Sequence, residues 1–263
     1  MDALNALLLG MLQGLAEWLP ISSKSQVMLA AMGLFGIPPE GALQLSIYLH
    51  IGTMLAAIIY FRNTLLEVLN AARKNPRDPL FSFLMISTIS TGALGLPLFL
   101  FMKDSFLLGG DIFAGVIGVG LIITGLVLLK SKEGGKRREK DATFKDALIA
   151  GGAQGFAVLP GISRSGVTTA SLLWAGFSQE SALKLSFLMS ILAVAGAEIG
   201  FSLIEGFPNI GVNEGILMTA SSFVFGMASI GLLLRVARTI SFTSFCLFMG
   251  TLSLVPLAYS LIS

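Results

Sequence analysis

Charged residues, cysteine and histidine are scarce in this chain, and their scarcity excludes several classes of protein. Only 12% of the 263 residues are charged, whereas an ordinary soluble domain has about 25%. The single cysteine, Cys246, excludes a disulfide framework and a cysteine metal site. The net charge of +2 is too small to indicate a nucleic-acid partner. No basic segment opens the chain, so we expect no cleavable signal peptide.

Apolar residues make up 54% of the chain, and the mean hydropathy is +0.85. A helix needs about 20 apolar residues to cross the hydrocarbon core of a bilayer. Six segments approach or exceed that length, and they lie near 43–61, 81–102, 112–130, 182–204, 215–234 and 240–262. We therefore predict a multi-pass protein of the cell membrane, surrounded by membrane lipids.

The positive charges are concentrated in alternate connections between these spans. Segments 62–79 and 130–145 and the turn after the fifth span are basic, whereas 103–111 and 205–214 contain only Lys103. Cytoplasmic connections carry the excess of Lys and Arg in membrane proteins. The pattern predicts that the basic connections are cytoplasmic and that both chain termini lie outside.

One polar theme occurs twice, about 140 residues apart. Residues 11–26 and 153–166 each contain Gln-Gly, then Leu-Pro, then a group of serines around one basic residue. Pro20 and Pro160 interrupt apolar segments that are too short or too broken to cross the membrane. We expect two re-entrant helical hairpins, the first entering from outside and the second from the cytoplasm.

Each hairpin is followed by three predicted spans, so the second half of the chain must enter the membrane inverted. The predicted fold is an all-α polytopic membrane protein with six full transmembrane helices, two re-entrant hairpins and an inverted-topology repeat. Its single membrane domain, 1–263, would consist of a first repeat at 1–130, a cytoplasmic basic linker at 131–145 and a second repeat at 146–263. Inverted repeats bring their broken helices together near the midplane, where they usually form the site.

The residues at the two breaks indicate an anion site. Arg164 lies between Ser163 and Ser165 where the second break leads into a helix, and a guanidinium beside hydroxyls and a helix N-terminus binds phosphate well. Glu17 at the first break could bind a divalent ion or act as a base. A serine between the two could attack phosphorus. The only histidine, His50, lies in an apolar span and is predicted to be a satisfied interior or packing residue.

At these residues the chain resembles the undecaprenyl-diphosphate phosphatase family, the membrane proteins linked to bacitracin resistance. Gln13-Gly-Leu-Ala-Glu17, followed by Leu-Pro-Ile-Ser-Ser, fits one motif of that family. Pro160-Gly-Ile-Ser-Arg-Ser-Gly-Val-Thr168 fits a second, and Leu185-Ser-Phe-Leu-Met189 resembles the stretch that follows it. The resemblance covers essentially the whole chain. It implies hydrolysis of a polyprenyl diphosphate lipid to the monophosphate, which recycles a lipid carrier for cell-envelope glycan synthesis, at a site open to the outer face.

The family resemblance also assigns roles to particular residues. Glu17 would be the acid or the metal-associated carboxylate, Ser23 the nucleophile and Arg164 the diphosphate clamp. A Mg²⁺ or Ca²⁺ ion bridged by the substrate would lie near Glu17. The expected substrate-binding residues are Gln13, Ser22, Lys24, Gln26, Ser163, Ser165 and Thr168.

The chain departs from the family at one position, and this leaves two alternatives open. Family members commonly carry a histidine where this chain has Gln26, and an amide cannot act as a base. Either the chemistry then runs through Glu17 and a metal-bound water, or the activity is altered. The nucleophile is left open between Ser23 and that water. A second function class is a transporter or flippase for a polyprenyl phosphate lipid, since paired broken helices are also typical of transporters. Small residues in the span near 112–126 allow a homodimer.

Overall fold

The computed structural model describes residues 2–102, 110–131, 135–206 and 209–236, and that part of the chain is predominantly helical. Its only bridge of the β type joins Arg137 to Phe177. The α-helices in the described residues are α1 Ala3–Ala16, α2 Ser23–Phe35, α3 Pro39–Tyr48, α4 His50–Tyr60, α5 Arg62–Lys74, α6 Pro79–Met102, α7 Gly110–Leu129, α8 Phe144–Gly155, α9 Arg164–Trp174, α10 Gln179–Glu205 and α11 Val212–Val236.

Four helical segments of the described part are long and apolar enough to cross a membrane. They are Pro39–Tyr60 (α3 with α4), Pro79–Met102, Gln179–Leu203 and Val212–Arg235. These segments agree with four of the six predicted spans, and they support a multi-pass membrane protein. The predicted span near 112–130 falls within α7, in which Gly115–Leu129 is a shorter apolar helix. The predicted span near 240–262 lies outside the described residues.

The first sequence motif forms a broken helical hairpin, which consists of α1, residues 17–22 and α2. The Asp2 side chain caps α1 by accepting a hydrogen bond from the Asn5 N–H at 2.8 Å. α1 has 14 residues and α2 has 13. Each is therefore about 20 Å long, which is shorter than the hydrocarbon core of about 30 Å. α2 ends at Gly36, whose left-handed backbone (φ +63°) is typical of a helix C-terminus.

The second motif forms a matching hairpin from α8, residues 156–163 and α9. A reciprocal pair of hydrogen bonds between Thr143 and Asp146 caps α8. Gly161 has φ +83° and lies so close to the backbone of α7 that a Cβ there would collide with the Ile117 carbonyl oxygen. Glycine is therefore required at this turn, both for its conformation and for its lack of a side chain. α9 then begins at Arg164, with the Ser163 hydroxyl accepting from the Gly166 N–H at 3.2 Å.

Two hydrophobic clusters hold the two hairpins in place. The first hairpin contributes Leu9 and Met28 to one cluster, which also contains residues of α3, α7, α10 and α11. The second hairpin contributes Ala150 and Leu172 to a larger cluster around α4, α6 and α10. α1 also packs closely along α11, because a Cβ on Gly14 would lie only 2.7 Å from the Ser222 carbonyl oxygen. This packing fixes the backbone immediately before the first break.

The polypeptide before α8 folds back onto the base of the second hairpin. The Arg137 guanidinium donates to both Asp146 carboxylate oxygens, at 2.5 and 3.2 Å. It also lies 4.3 Å above the ring of Phe177. The Trp174 indole donates to the Lys130 carbonyl at 2.9 Å. The basic connection therefore packs against the ends of α8 and α9, and all three belong to one face of the molecule.

The Arg137–Asp146 pair predicts a pH-dependent contribution to stability. Burial opposes ionisation of Asp146, but hydrogen bonds from Arg137 and Thr143 outweigh it and hold the pKa of that carboxyl below its ordinary value. The ionised form therefore stabilises the fold at neutral pH, and this contribution is lost as the pH falls through the lowered pKa. We expect Asp146→Asn to lower the free energy of unfolding at neutral pH by about 1.5–3 kcal/mol. The variant should therefore melt at a lower temperature than the wild type in detergent at neutral pH.

The control for that experiment is Asp141→Asn, since the Asp141 side chain caps only a short exposed turn by accepting from the Arg138 N–H at 2.8 Å. The difference between the wild type and Asp146→Asn should shrink below about pH 4, where the unfolded carboxyl is protonated as well. Equal melting temperatures at neutral pH for wild type and Asp146→Asn would contradict this role of the pair.

Candidate active site

The two breaks meet inside the molecule, as the repeated motif predicts. The Lys24 ammonium donates to the carbonyl oxygens of Val158 at 2.8 Å and Ala157 at 3.2 Å. The Gly161 N–H donates to the Ser25 hydroxyl at 2.9 Å. In the opposite direction, the Ser165 hydroxyl donates to the Leu19 carbonyl at 2.8 Å. Each break thus satisfies polar groups of the other, which is the condition for irregular backbone within a membrane.

Glu17 is the centre of the hydrogen-bond network between the breaks. Its buried carboxylate accepts at Oε2 from the Gln13 amide and from the Ser23 hydroxyl, both at 2.6 Å. Its other oxygen, Oε1, is paired with the Arg164 guanidinium. Gln13 and Glu17 share one helix face because they are four residues apart. The carboxylate therefore joins the candidate nucleophile to the candidate phosphate clamp.

Contacts from three elements hold Arg164 at the start of α9. Besides Glu17, its guanidinium donates to the Ser186 carbonyl of α10 at 3.3 Å and lies 5.7 Å from the Trp18 ring. The Thr168 hydroxyl donates to the Arg164 carbonyl at 2.7 Å. The contacts with Glu17 and with the Ser186 carbonyl use the two terminal nitrogens of the guanidinium, which carries five N–H donors. Donors therefore remain for an anion that enters between the breaks.

A cavity of about 320 Å³, including its open mouth, lies between the breaks. A cavity of this size suits a head group rather than a long hydrocarbon tail. Helices α2 and α9 both begin at its wall, and helix N-termini favour negative charge. Its lining residues are Glu17, Ser22, Ser23, Lys24, His50, Ala157, Ile162, Ser163, Arg164 and Ser165.

Ser22 takes an unusual backbone conformation at the wall of the cavity. Its φ is +57°, the left-handed region that residues other than glycine rarely adopt. Its hydroxyl lies 2.9 Å from that of Ser25. Such conformations persist only where the surrounding structure holds them, and they occur often at functional sites. This turn directs the first residue of α2, Ser23, back toward Glu17.

Seven of the ten residues expected at the site line the cavity, and three do not. Gln13 does not line the cavity, and its amide donates a hydrogen bond to the Glu17 carboxylate. Thr168 supports the Arg164 backbone and lies 2.5 Å from the Ser186 hydroxyl. The Gln26 amide donates to the Ile21 carbonyl at 3.1 Å, so its described contact is with the break itself rather than with the cavity.

The structure assigns His50 to the site, which corrects its interpretation as an interior packing residue. Its Nε2 atom lies 3.3 Å from Oε2 of Glu17, and the ring lines the cavity. The sequence carried a signal for this position, because ionisable groups within a membrane generally mark function. The sequence contained no indication that His50 contacts Glu17, because His50 belongs to neither copy of the repeated motif.

The described residues do not fit a metal ion held by the protein alone. Among them there is no group of three or more His, Cys, Asp or Glu side chains arranged to bind a metal. Glu17 is a lone carboxylate, and both of its oxygens already accept from neighbouring donors. A divalent ion in such a place would depend on ligands from outside the protein, and phosphate oxygens are the usual ones.

The fold and the site together define a class of protein: a multi-pass membrane protein with a polar, cationic, hydroxyl-lined cavity between two broken helices. Residues 6–255 match the family model described as "Bacitracin resistance protein BacA". The chain therefore belongs to that family.

Three curated relatives are named "Undecaprenyl-diphosphatase". The protein of Methanococcoides burtonii is 43% identical over 261 residues, which covers 96% of this chain and 97% of the relative. That of Methanothrix thermoacetophila is 44% identical over 255 residues, or 97% and 96% of the two chains. That of Methanopyrus kandleri is 40% identical over 260 residues, again 97% and 96%. The family match at residues 6–255 includes every residue that lines the cavity.

Proposed function

We propose that this protein hydrolyses undecaprenyl diphosphate to undecaprenyl monophosphate and inorganic phosphate, at the cavity between the two hairpins. The observation that carries the proposal is the placement of Glu17 between the Ser23 hydroxyl and the Arg164 guanidinium. A nucleophile, a proton acceptor and a phosphate clamp are thereby within one cavity. The family and the name of the relatives support the same reaction. It would recycle a lipid carrier for cell-envelope glycan synthesis.

In the first step, the terminal phosphate enters beside Arg164 and the Ser23 oxygen attacks its phosphorus atom. The Ser23 proton passes to Oε2 of Glu17, which already accepts the hydrogen bond at 2.6 Å. A bond forms between Ser23 Oγ and the terminal phosphorus. The bond from that phosphorus to the bridging oxygen breaks, and undecaprenyl monophosphate leaves.

In the second step, water attacks the phosphoserine. A bond forms from the water oxygen to phosphorus, the bond to Ser23 Oγ breaks, and Ser23 recovers its proton from the Glu17 side. Both protons of the water leave on the inorganic phosphate, as dihydrogen phosphate, and Glu17 is again ionised. Lys24 and the N-termini of α2 and α9 favour the negative charge throughout, because they border the same cavity.

We propose that a divalent cation binds together with the substrate rather than to the protein alone. Mg²⁺ or Ca²⁺ would reach the cavity bound to diphosphate oxygens, near Glu17, and neutralise part of the charge of the head group. Phosphate release by the purified protein in detergent, with Mg²⁺, with Ca²⁺ or with a chelator, tests both the hydrolysis and the need for a divalent cation. We expect one inorganic phosphate per lipid consumed, and slower release with chelator. Equal rates with and without chelator would remove the ion from the account.

We further propose the complete topology of the chain: six crossings, two re-entrant hairpins in an inverted repeat, both termini outside, and the cavity open to the outer face of the plasma membrane. The shortness of α1, α2, α8 and α9 supports the re-entrant hairpins.

Cysteine labelling tests this orientation. In a Cys246→Ser background, we expect a membrane-impermeant thiol reagent added outside to label Asn209→Cys but not Lys136→Cys, because basic connections stay in the cytoplasm. Both positions are exposed. Labelling after permeabilisation confirms that the Lys136→Cys thiol is reactive. The reverse pattern would overturn the orientation, and labelling of both from outside would break the six-crossing topology.

The homodimer is a separate proposal, supported by the small residues of α7. A Cβ added at Gly115 or Gly125 would meet no described atom within 4 Å, so a second helix could approach closely there. Light scattering of the purified protein in detergent measures the oligomeric state directly. The transporter alternative is not favoured, because the relatives carry the name of an enzyme and a carrier needs no serine beside a carboxylate.

A further inference from the structure

We infer that His50 is the end of the proton path that begins at Ser23, and that Glu17 joins the two. This inference rests on the proposed hydrolysis and adds a residue that belongs to neither sequence motif. His50 begins α4 and lines the cavity, and its ring lies beside the carboxylate that accepts the Ser23 proton.

The surroundings of His50 determine which ring nitrogen carries hydrogen. Its Nδ1 atom faces two backbone carbonyl oxygens, that of Ser46 at 2.6 Å and that of Ile47 at 3.3 Å. A carbonyl oxygen only accepts hydrogen bonds, so Nδ1 must be the donor. In the neutral ring, Nε2 then has a lone pair and no hydrogen.

The nearest ionisable neighbour of Nε2 is the Glu17 carboxylate, which also has no hydrogen of its own when it is ionised. Nε2 lies 3.3 Å from Oε2 of Glu17, the same oxygen that accepts from the Ser23 hydroxyl. Two acceptors in contact repel each other, and a single proton between them turns the contact into a charge-assisted hydrogen bond. The pair is therefore arranged to take up one proton.

The reaction supplies that proton from Ser23. As the bond from Ser23 Oγ to phosphorus forms, the hydroxyl proton moves to Glu17 Oε2 and the pair retains it as an imidazolium beside a carboxylate. When water later displaces the phosphoserine, the same proton returns through Glu17 to Ser23 Oγ. His50 acts through Glu17 in this path, so it is a positioning and proton-holding residue for the reaction. Gln26, whose amide is bound to Ile21, has no part in it.

Two replacements of His50 separate proton transfer from simple support of Glu17. His50→Gln can still donate an amide hydrogen bond to the carboxylate, but it cannot take up a proton. His50→Ala removes both properties. If the ring holds the proton, we expect both variants to lose kcat alike, by on the order of a hundredfold, which is the lower range for general acid–base catalysis. KM should change by less than about threefold, because the loss concerns the transition state.

Two measurements of folding and one control variant complete this test. Binding of a methylene-bridged diphosphate analogue and retention in size-exclusion chromatography report whether each variant is folded. If His50→Ala does not fold, His50→Gln alone carries the test. Tyr48→Phe is the matched control, because Tyr48 lies on the same span as His50 but does not line the cavity. The substitution removes a hydroxyl that accepts from Thr219 of α11, and it should keep wild-type kcat.

The inference is overturned if His50→Gln retains wild-type kcat while His50→Ala loses it, because the ring would then only support Glu17. It is also overturned if both variants keep wild-type kcat. Ser23→Ala measured in parallel distinguishes this result from a failure of the proposed reaction. An active Ser23→Ala variant would refute serine attack itself, whereas an inactive one beside an active His50→Gln would refute only the path through His50.

Discussion

Ser23→Ala is expected to lower kcat for phosphate release by at least about a hundredfold and to leave binding of the lipid largely intact. The hydroxyl lies 2.6 Å from Oε2 of Glu17 at the first residue of α2, so it has a proton acceptor in place. Removal of a group that acts only in the transition state costs about 3 kcal/mol, which corresponds to a loss of this size. Such a loss appears in kcat rather than in KM.

Ser190→Ala is the matched control for this substitution. The Ser190 hydroxyl is buried and donates to the Phe187 carbonyl of its own helix, away from the cavity, so its removal should leave kcat unchanged. Hydrolysis by Ser23→Ala at the wild-type rate would contradict serine attack. In that case a water molecule activated by the substrate-bound ion would replace the serine as nucleophile.

Arg164→Lys is expected to reduce kcat/KM by at least about a hundredfold, although it preserves the charge. The guanidinium binds Glu17 and the Ser186 carbonyl through separate nitrogens and keeps further N–H groups for phosphate. An ammonium group is a compact point charge that cannot bind these partners and two phosphate oxygens in one plane. Loss of the clamp should weaken both substrate binding and the transition state.

The control for this variant is Arg138→Lys, an equivalent change at an exposed position near the second hairpin. It should leave kcat/KM unchanged. Size-exclusion chromatography of both variants shows whether the fold is kept. A folded Arg164→Lys protein with wild-type kcat/KM would show that a positive charge is sufficient and that the planar geometry of arginine is not used.

The sequence predicted the polar core of the site because polar residues in an apolar chain are constrained to meet. Lys24 and Arg164 lie in two copies of one motif, and the structure brings both copies to the same cavity. Four spans of the described part of the chain were also predictable, since the length of a span follows directly from the thickness of the bilayer.

The contact of His50 with Glu17 could not be predicted in the same way. It depends on how α4 packs against α1, and periodicity within one span does not report packing between spans. Gln26 shows the opposite case, because its position in the motif suggested substrate binding while its amide is bound to the Ile21 carbonyl.

Hydrolysis at the terminal phosphate of the substrate is tested most directly by one labelling experiment. Undecaprenyl diphosphate labelled with ³²P in its terminal phosphate is added to the outer leaflet of liposomes that contain the purified protein. We predict that all consumed label appears as inorganic phosphate, that the lipid product is unlabelled monophosphate, and that Ser23→Ala and Arg164→Lys release almost none. Intact labelled lipid that crosses to the inner leaflet, with no inorganic phosphate released, would contradict the account and identify a carrier instead.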